Sequence, residues 1–310
     1  MILVLRQALA QIFLIKSLSF AFIISHFPNF TTMSALSVTL IQPDLKWEDK
    51  SSNLKMLEEK IRAIKEKTEV VILPEMFSTG FSMQPARLAE TIAGDTVQWM
   101  KKISGEKKII LTGSLIIEDK GNYFNRLIWM LPNGQFGYYD KRHRFAYAGE
   151  DQHYAAGDKR LIASVKGWKI NLQVCYDLRF PVWARQQPAA LTSNTLTDPM
   201  ALEYDLLIYV ANWPERRNHA WKTLLQARAI ENQCYTIGVN RVGNDGNQIY
   251  HSGDSMIVGP LGEIIYQKTG VEDVFTYTLT MERLEEARSK YPFWRDADQF
   301  HILINNQPEV

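Results

Sequence analysis

From about residue 33 onward, the apolar and polar positions follow two alternating patterns. Short apolar runs between turn residues predict strands, and apolar residues spaced three or four apart, opposite a charged face, predict helices. The predicted strands are 36–42, 69–74, 108–117, 125–131, 135–139, 161–165, 168–174, 203–213, 235–242, 256–258, 263–266 and 274–279. The predicted helices are 54–67, 96–104 and 217–233, followed by a tail that is mostly helix and loop.

Strands and helices are predicted to alternate throughout this region, and no repeat, low-complexity tract or Gly/Ser linker interrupts it. Pro132-Asn133-Gly134 and Pro260-Leu261-Gly262 predict tight hairpins. Residues 188–199 show little pattern and predict a surface loop. We therefore predict one large α/β domain over residues 33–310.

Residues 1–32 differ from the rest because they contain Arg6 and Lys16 but no acidic residue. Polar residues such as Lys16 and His26 interrupt the run of ~20 apolar residues that a membrane-spanning helix needs. No clear small-residue cleavage site precedes Met33, as a signal peptide requires. Among a signal peptide, a membrane anchor and a translation start at Met33, we favour the last. We expect residues 1–32 to be a peripheral extension.

Composition and charge narrow the possible classes of protein. The chain has 310 residues, of which 46% are hydrophobic, enough for a sizeable core. Its net charge of +1, from 35 basic and 34 acidic residues, provides no field that would attract nucleic acid or an acidic membrane. The two cysteines, Cys175 and Cys234, fit a reducing compartment such as the cytoplasm, although a single bridge between them stays open. The six histidines show no metal-ligand spacing, so we expect no metal and no cofactor.

Three reactive side chains stand at the ends of three predicted strands. Glu75 follows Leu73-Pro74, Lys141 follows the second strand of the first hairpin, and Cys175 follows strand 168–174. Each alone has an ordinary explanation, as a helix cap, a solvated charge or a small core residue. Together, at the strand ends where open α/β sheets place their chemistry, they fit nucleophilic acyl transfer.

The chemistry assigns each of the three a role. A thiol has an ordinary pKa of about 8.5 and needs a base or a nearby cation to react at neutral pH. Glu75 is the candidate base that takes the thiol proton and returns it to a leaving amine. Lys141, with the backbone N–H of Tyr176, is the candidate stabiliser of the thiolate and the oxyanion.

Three segments around these residues resemble the signatures of the nitrilase, or carbon–nitrogen hydrolase, superfamily. They are Leu73-Pro74-Glu75, Asp140-Lys141-Arg142-His143 and Val174-Cys175-Tyr176-Asp177-Leu178-Arg179-Phe180, and residues 209–214 and 226–232 are also similar. The resemblance extends from about Met33 to the end. It implies a single-domain, four-layer α-β-β-α sandwich that pairs as a homodimer, and a Glu–Lys–Cys triad. It also implies a second catalytic glutamate, for which Glu150 is the matching position.

Within the superfamily, residues 211–216 and 177–181 are most similar to the omega-amidase branch. That branch hydrolyses the terminal amide of short 2-oxo-dicarboxylic monoamides, such as 2-oxoglutaramate, to the dicarboxylate and ammonia. The loop 186–200 is longer than we expect for this branch. Alternative interpretations are an aliphatic amidase or an N-carbamoyl amine hydrolase. A non-catalytic binding protein is a further alternative, but it would be expected to have lost part of the triad, whereas all three residues are present.

Four further residues are candidates for substrate binding. Arg179, on the first turn of a predicted helix, is expected either to bind a distal carboxylate or to form a structural salt bridge with Asp177 or another acid. Phe81, Tyr176 and Trp213 are candidate pocket walls, with core packing as the alternative. We predict that Cys234 is a core residue and that His143 orients the Lys141 loop. The expected partners are a small amide and water, with no nucleic acid and no membrane.

Overall fold

The computed structural model describes residues 34–187 and 202–303. The predictions for residues 1–32 and for most of the 186–200 loop lie outside these ranges. The strands are β1 Ala35–Gln42, β2 Val70–Ile72, β3 Ile110–Asp119, β4 Asn122–Met130, β5 Phe136–Asp140, β6 Leu161–Val165, β7 Trp168–Val174, β8 Leu206–Val210, β9 Tyr235–Val239, β10 Val242–Asn244, β11 Tyr250–Val258, β12 Ile264–Thr269 and β13 Asp273–Thr280. The helices are α1 Lys50–Ala63, α2 Pro85–Leu88, α3 Asp95–Lys107, α4 Glu150–His153, α5 Pro181–Ala184, α6 Asn218–Asn232 and α7 Met281–Lys290.

The strands form two mixed sheets. The first has the order β13-β1-β2-β3-β4-β5, and the second has the order β10-β11-β9-β8-β7-β6, with β12 paired to β11. In each sheet the three central strands are parallel, namely β1-β2-β3 in the first and β7-β8-β9 in the second. The outer pairings are antiparallel. The carboxyl ends of the parallel strands therefore gather at one edge of each sheet.

Two apolar clusters and a helix layer on each side make this a four-layer sandwich. One cluster joins α1 and α3 to the outer face of the first sheet, with Leu57 and Met100 facing Val71 and Leu111. A larger cluster joins the inner faces of the two sheets and continues to α6 on the far side of the second sheet. The layer order is thus α-β-β-α, as the resemblance implied, and the α/β prediction is confirmed.

The main errors of the secondary-structure prediction concern the first helix, one central strand and the alternation of elements. The first helix is Lys50–Ala63, because the Asp49 side chain accepts a hydrogen bond from Ser52 N and begins the helix early. The strand predicted over 203–213 is only Leu206–Val210, and its flanks are loop. Helices and strands do not alternate throughout, since β3 to β5 and β9 to β13 follow one another without an α-helix between them.

No helix within residues 34–187 and 202–303 is both long and apolar enough to cross a membrane.

Candidate active site

The carboxyl ends of β2, β5 and β7 place three predicted residues at one edge of the sandwich. Glu75 lies just beyond β2, while Lys141 and Cys175 directly follow β5 and β7. Glu150 joins them as the first residue of α4. Glu75 and Glu150 are fully buried, and Lys141 is 1% exposed. Three charged groups inside a folded protein are tolerated only when each is paired, so their partners define the site.

Lys141 lies between the two glutamates. Its Nζ is 2.9 Å from Glu75 Oε1, 2.9 Å from Glu150 Oε1 and 2.8 Å from Glu150 Oε2. The three protons of an ammonium group are therefore matched by three carboxylate oxygens. Burial opposes the charge on Lys141, but the negative charges of Glu150 and Glu75 outweigh it and raise the Lys141 pKa. The lysine is consequently a fixed cation at neutral pH.

Two asparagines complete the hydrogen bonding of the carboxylates. Asn125 Nδ2 donates to Glu75 Oε1 at 2.8 Å and to Glu150 Oε1 at 3.2 Å. Asn212 N donates to Glu75 Oε2 at 2.8 Å, and its side-chain amide donates to the Glu75 backbone carbonyl. Glu75 is therefore held at both oxygens, with its carboxylate fixed relative to Lys141.

Gly157 lies against the backbone at the end of β5, and this close contact requires a glycine. Gly157 N donates to Lys141 O at 3.0 Å, so the two backbones run close together. A Cβ at Gly157 would lie 2.0 Å from Asp140 O. Any larger residue at 157 would therefore push the end of β5, and Lys141 with it, out of place.

Cys175 has an unusual backbone conformation for a side-chain-bearing residue. Its φ is +45°, in the left-handed region that disfavours residues other than glycine. It opens a 3₁₀ helix, Cys175–Arg179, immediately after β7. Strain of this kind persists where the surrounding structure holds it, and it is common at reactive residues.

The pKa of the Cys175 thiol is raised well above its ordinary value. Burial is the largest cause, followed by the negative charge of Glu75, while Lys141 acts in the opposite direction. The negative charge of Glu150 raises the pKa further. Burial and the charge of Glu75 also raise the Glu150 pKa, which Lys141 counteracts. The resting site therefore holds a neutral thiol beside a carboxylate acceptor.

A cavity of about 220 Å³ opens onto Cys175 and Lys141. All four predicted binding residues line it, namely Phe81, Tyr176, Arg179 and Trp213. Lys141 Nζ lies 5.1 Å from the centroid of the Phe81 ring, and Arg179 Cζ lies 4.9 Å from that of Trp213. Glu75 and Glu150 stay behind this surface, so a ligand in the cavity meets the thiol and the lysine first.

The cavity is lined by more cationic than acidic side chains. Besides Lys141 and Arg179 it contains Arg216 and Arg217, whereas Asp245 is its one acid among the described residues. Arg217 stacks on Phe145, with Cζ 4.9 Å from the ring centroid. Burial first, and then repulsion by Arg216, lowers the Arg217 pKa. Clustered like charges of this kind are typical of a site that binds an anion.

Two predictions about neighbouring residues need correction. Arg179 is the last residue of a 3₁₀ helix rather than part of the first turn of an α-helix. It forms no salt bridge with Asp177, because that carboxylate already accepts hydrogen bonds from Tyr139, His143 and Val174. His143 thus binds the turn that follows Cys175, and its role in orienting the Lys141 loop stays a prediction.

The two cysteines are both free thiols, so the bridge between them that the sequence left open is not formed. Cys234 is fully buried in the core, as predicted. Within the part of the chain that the structure describes, no cluster of His, Cys, Asp and Glu side chains is arranged to bind a metal.

Sequence reasoning did not single out Asn125, Asn212, Arg216 or Arg217. Asn212 and Arg216 lie in the quoted segment 211–216, directly after a buried strand, which is the signal that was available. Asn125 gives no such signal, since it occupies the interior of β4 and is 1% exposed.

Comparison with known proteins connects this geometry to a family. Residues 37–289 match the Carbon-nitrogen hydrolase family. The chain is 41% identical to omega-amidase YafV of Escherichia coli over 276 residues, covering 87% of this chain and all of that protein. It is 27% identical to a 2-oxoglutaramate amidase of Bacillus subtilis over 263 residues, covering 84% and 96% of the two chains.

A solved structure gives the same result for the fold. XC1258 of Xanthomonas campestris, a CN-hydrolase superfamily protein with an arsenic adduct in its active site, superposes with a TM-score of 0.83. It is 41% identical, and the match covers 87% of this chain and all of that one. With its sandwich fold and a match of this length, this chain belongs to the carbon–nitrogen hydrolase family, the nitrilase superfamily of amide hydrolases.

Proposed function

We propose that this chain is an omega-amidase that hydrolyses the terminal amide of short 2-oxo-dicarboxylic monoamides, such as 2-oxoglutaramate, to the dicarboxylate and ammonia. The observation that carries the proposal is the cavity that joins Cys175 and Lys141 to Arg179, Arg216 and Arg217. Its lining brings groups that react with an amide together with groups that attract a carboxylate. The omega-amidase and 2-oxoglutaramate amidase relatives support the same substrate class.

In the first half of the proposed reaction, Glu75 accepts the thiol proton as Cys175 Sγ bonds to the amide carbon. The carbonyl oxygen becomes an oxyanion, which Lys141 and the N–H of Tyr176 stabilise. Glu75 then returns the proton to the nitrogen, the carbon–nitrogen bond breaks, and ammonia leaves a thioester on Cys175. Each proton transfer uses Glu75, the carboxylate whose negative charge acts most strongly on the Cys175 pKa.

In the second half, water takes the place vacated by ammonia. Glu75 accepts a proton from this water as its oxygen bonds to the thioester carbon. Collapse of the second tetrahedral intermediate breaks the carbon–sulfur bond, releases the carboxylic acid product and returns the proton to the thiol. Glu150 keeps Lys141 charged and in place through both halves, since two of its oxygens contact Nζ. No cofactor takes part in this sequence.

We propose that Arg179 binds the distal carboxylate, because its guanidinium lines the cavity and pairs with no acid among the described residues. A neutral amide would leave the Arg179 guanidinium unpaired in a closed pocket, which costs on the order of several kcal/mol, so discrimination against neutral amides is expected to be large. Phe81, Tyr176 and Trp213 are the proposed walls around the carbon chain of the substrate.

Ammonia release from a panel of amides tests the proposal. We expect 2-oxoglutaramate to be hydrolysed with a higher kcat/KM than glutamine, and both to exceed an uncharged amide such as propionamide. Arg179→Met is expected to raise KM and lower kcat/KM for 2-oxoglutaramate, while the slow hydrolysis of propionamide stays nearly unchanged.

Arg295→Met is the matched control, because Arg295 also stacks on a tryptophan, with Cζ 5.3 Å from the Trp294 ring, but lies on an exposed 3₁₀ turn. It is expected to leave both substrates unaffected. Equal loss for both substrates in Arg179→Met would mean that Arg179 supports the fold of the turn. A wild type that prefers propionamide would replace the omega-amidase assignment with an aliphatic amidase.

The proposal includes the state in which the protein works. We infer a cytoplasmic homodimer whose catalytic domain is residues 33–310, with the preceding segment peripheral. Two free thiols fit a reducing compartment, and pairing is usual in the superfamily that the sequence resembles. Light scattering of the purified protein, together with fractionation and intact-mass measurement of the endogenous protein, tests these points. A monomer, or a full-length membrane-bound species, would overturn them.

A further inference from the structure

We propose that Asp177 is a positioning residue that fixes the nucleophile turn to the Lys141 loop, so that Cys175 and Lys141 meet one substrate at a set separation. Asp177 is fully buried and touches no part of the cavity. Its carboxylate accepts three hydrogen bonds and contacts His143 Nδ1, with partners on both sides of Lys141 and at the residue before Cys175. The inference goes beyond the substrate assignment and rests on Cys175 as the nucleophile.

The two carboxylate oxygens of Asp177 share the contacts of the junction between the nucleophile turn, Cys175–Arg179, and the loop that carries Lys141. Oδ2 accepts Val174 N at 3.1 Å and Tyr139 OH at 2.8 Å. Oδ1 accepts His143 N at 2.9 Å and contacts His143 Nδ1 at 2.8 Å. Tyr139 lies two residues before Lys141 and His143 lies two residues after it. One side chain therefore ties both flanks of the lysine to the strand end that carries Cys175.

A second set of contacts makes the junction rigid. Tyr139 OH, which donates to Asp177, accepts Trp183 Nε1 at 2.9 Å and Arg142 N at 3.2 Å. The His143 ring stacks on Phe180, with centroids 3.8 Å apart and planes 7° from parallel. Phe180 packs in turn against Tyr176 in the cavity wall, with centroids 5.1 Å apart. A displacement of Asp177 would thus reach both the nucleophile turn and the wall.

The chemistry at this position requires a carboxylate rather than an amide. Tyrosine and histidine donors can reorient or change tautomer, but a backbone N–H cannot. Val174 N–H points at Oδ2 and His143 N–H points at Oδ1, so one backbone donor faces each oxygen. Asparagine accepts through only one of its two terminal atoms, and its NH₂ group would face a backbone N–H in either orientation. Asp177→Asn therefore opens the junction on one side with almost no change in volume.

The chain contains a matched control at the opposite end of the same strand. Asp205 Oδ2 accepts Lys169 N, near the start of β7, at 3.0 Å, and its Oδ1 accepts Arg288 NH1 at 2.8 Å. Asp205→Asn creates the same conflict, since neither donor can become an acceptor. It does so far along β7 from Cys175, and Asp205 lies outside the cavity lining.

The test compares Asp177→Asn and Asp205→Asn by Tm, by kcat and KM on 2-oxoglutaramate, and by the rate at which iodoacetamide alkylates Cys175. Misplacing reacting groups by about 1 Å costs about 100-fold in rate. We expect Asp177→Asn to lose about that factor in kcat and a comparable factor in alkylation rate, with KM within about threefold of wild type. Asp205→Asn is expected to lower Tm while kcat and the alkylation rate stay within about threefold.

Tyr139→Phe provides a milder break, because it removes one donor and leaves both backbone bonds to Asp177 intact. It is expected to lower kcat about tenfold, and it decides the matter if Asp177→Asn does not fold. A folded Asp177→Asn, or in its absence a Tyr139→Phe, with wild-type kcat overturns the inference. So does Asp205→Asn losing kcat as much. Cys175→Ala separates the two proposals, because turnover in that variant would remove the thioester mechanism itself.

Discussion

Cys175 and Cys234 are the same residue type in two buried environments, and the comparison shows what distinguishes the proposed nucleophile from a core thiol. Burial raises the pKa of both, to about 12 for Cys234 and well above its ordinary value for Cys175. Burial and acidity therefore do not separate the two. Their neighbours do, because Cys234 lies in the apolar core 3.9 Å from Thr236 Oγ1, whereas Cys175 faces a cavity beside Glu75 and Lys141.

The difference indicates that Cys175 is not held as a thiolate in the resting site. A resting thiolate would be repelled by Glu75 and poorly solvated, and one lysine shared by two glutamates does not compensate. The proposed nucleophile is instead a neutral thiol beside its proposed proton acceptor, Glu75. Reactivity at Cys175 thus depends on where Glu75 and Lys141 are held, and that dependence can be broken experimentally.

The largest expected effect is the loss of turnover in Cys175→Ala. Without sulfur no acyl intermediate forms, so kcat should fall on the order of 10⁴-fold or more while circular dichroism and Tm stay close to wild type. Cys234→Ala should keep kcat within about twofold, since no part of Cys234 reaches the cavity. Measurable amide hydrolysis by Cys175→Ala, or an inactive Cys234→Ala that is still folded, would contradict the comparison.

Alkylation should separate the two thiols by a smaller but still large factor. Iodoacetamide reaches Cys175 through the cavity and meets Glu75 as a proton acceptor, whereas Cys234 reacts only after the core opens. We expect Cys175 to be labelled about 100-fold faster or more, with activity lost in step. Peptide mass spectrometry over a time course measures both rates. Equal rates would mean that neither thiol is activated.

The pH dependence tests how the Cys175 proton leaves. In the wild type it passes to Glu75, so kcat/KM should be flat between about pH 7 and about pH 9. In Glu75→Gln the acceptor is gone, and removal of its negative charge lowers the Cys175 pKa relative to wild type, although burial still keeps it raised. Alkylation of that variant should then require free thiolate and rise about tenfold per pH unit.

A wild-type kcat/KM that rises about tenfold per pH unit over this range would show that the free thiolate is the nucleophile. Cys234→Ala serves as the control background in these measurements, since it leaves a single thiol to follow.

The contrast between the two cysteines also shows how far the sequence could predict this molecule. Cys175 follows an apolar strand pattern and precedes a polar turn, so its position at a sheet edge could be predicted. The same holds for Glu75 and Lys141. The sequence could not show which distant residues contact the site. Asn125 and Asp177 make contacts with Glu75 and Tyr139, which lie 50 and 38 residues away along the chain respectively.

The fold was predictable to the same degree and for the same reason. Apolar periodicity identified most strands and the helices α1, α3 and α6, because one buried face is a local property. It misjudged the boundaries of α1, where the Asp49 cap sets the start, and of β8, where the chain leaves the sheet early to place Asn212 against Glu75. Sheet order depends on long-range pairing, which one-dimensional patterns do not encode.

The smallest expected effect is on stability and concerns Cys234 alone. Cys234→Ala leaves a small void in the core and should lower the free energy of unfolding by about 1 kcal/mol at pH 7.

The folded pKa of the Cys234 thiol, about 12, lies above that of an exposed thiol near 9, so the unfolded chain loses this proton first. The contribution of the protonated thiol is therefore complete below about pH 9 and is lost as the pH rises toward about 12. Between about pH 9 and about pH 10 the wild type should lose about 1 kcal/mol more than Cys234→Ala, so the gap between them should close. Urea unfolding of both proteins in a Cys175→Ala background measures this, and a gap that stays constant with pH would mean that Cys234 ionises in the folded protein as an exposed thiol does.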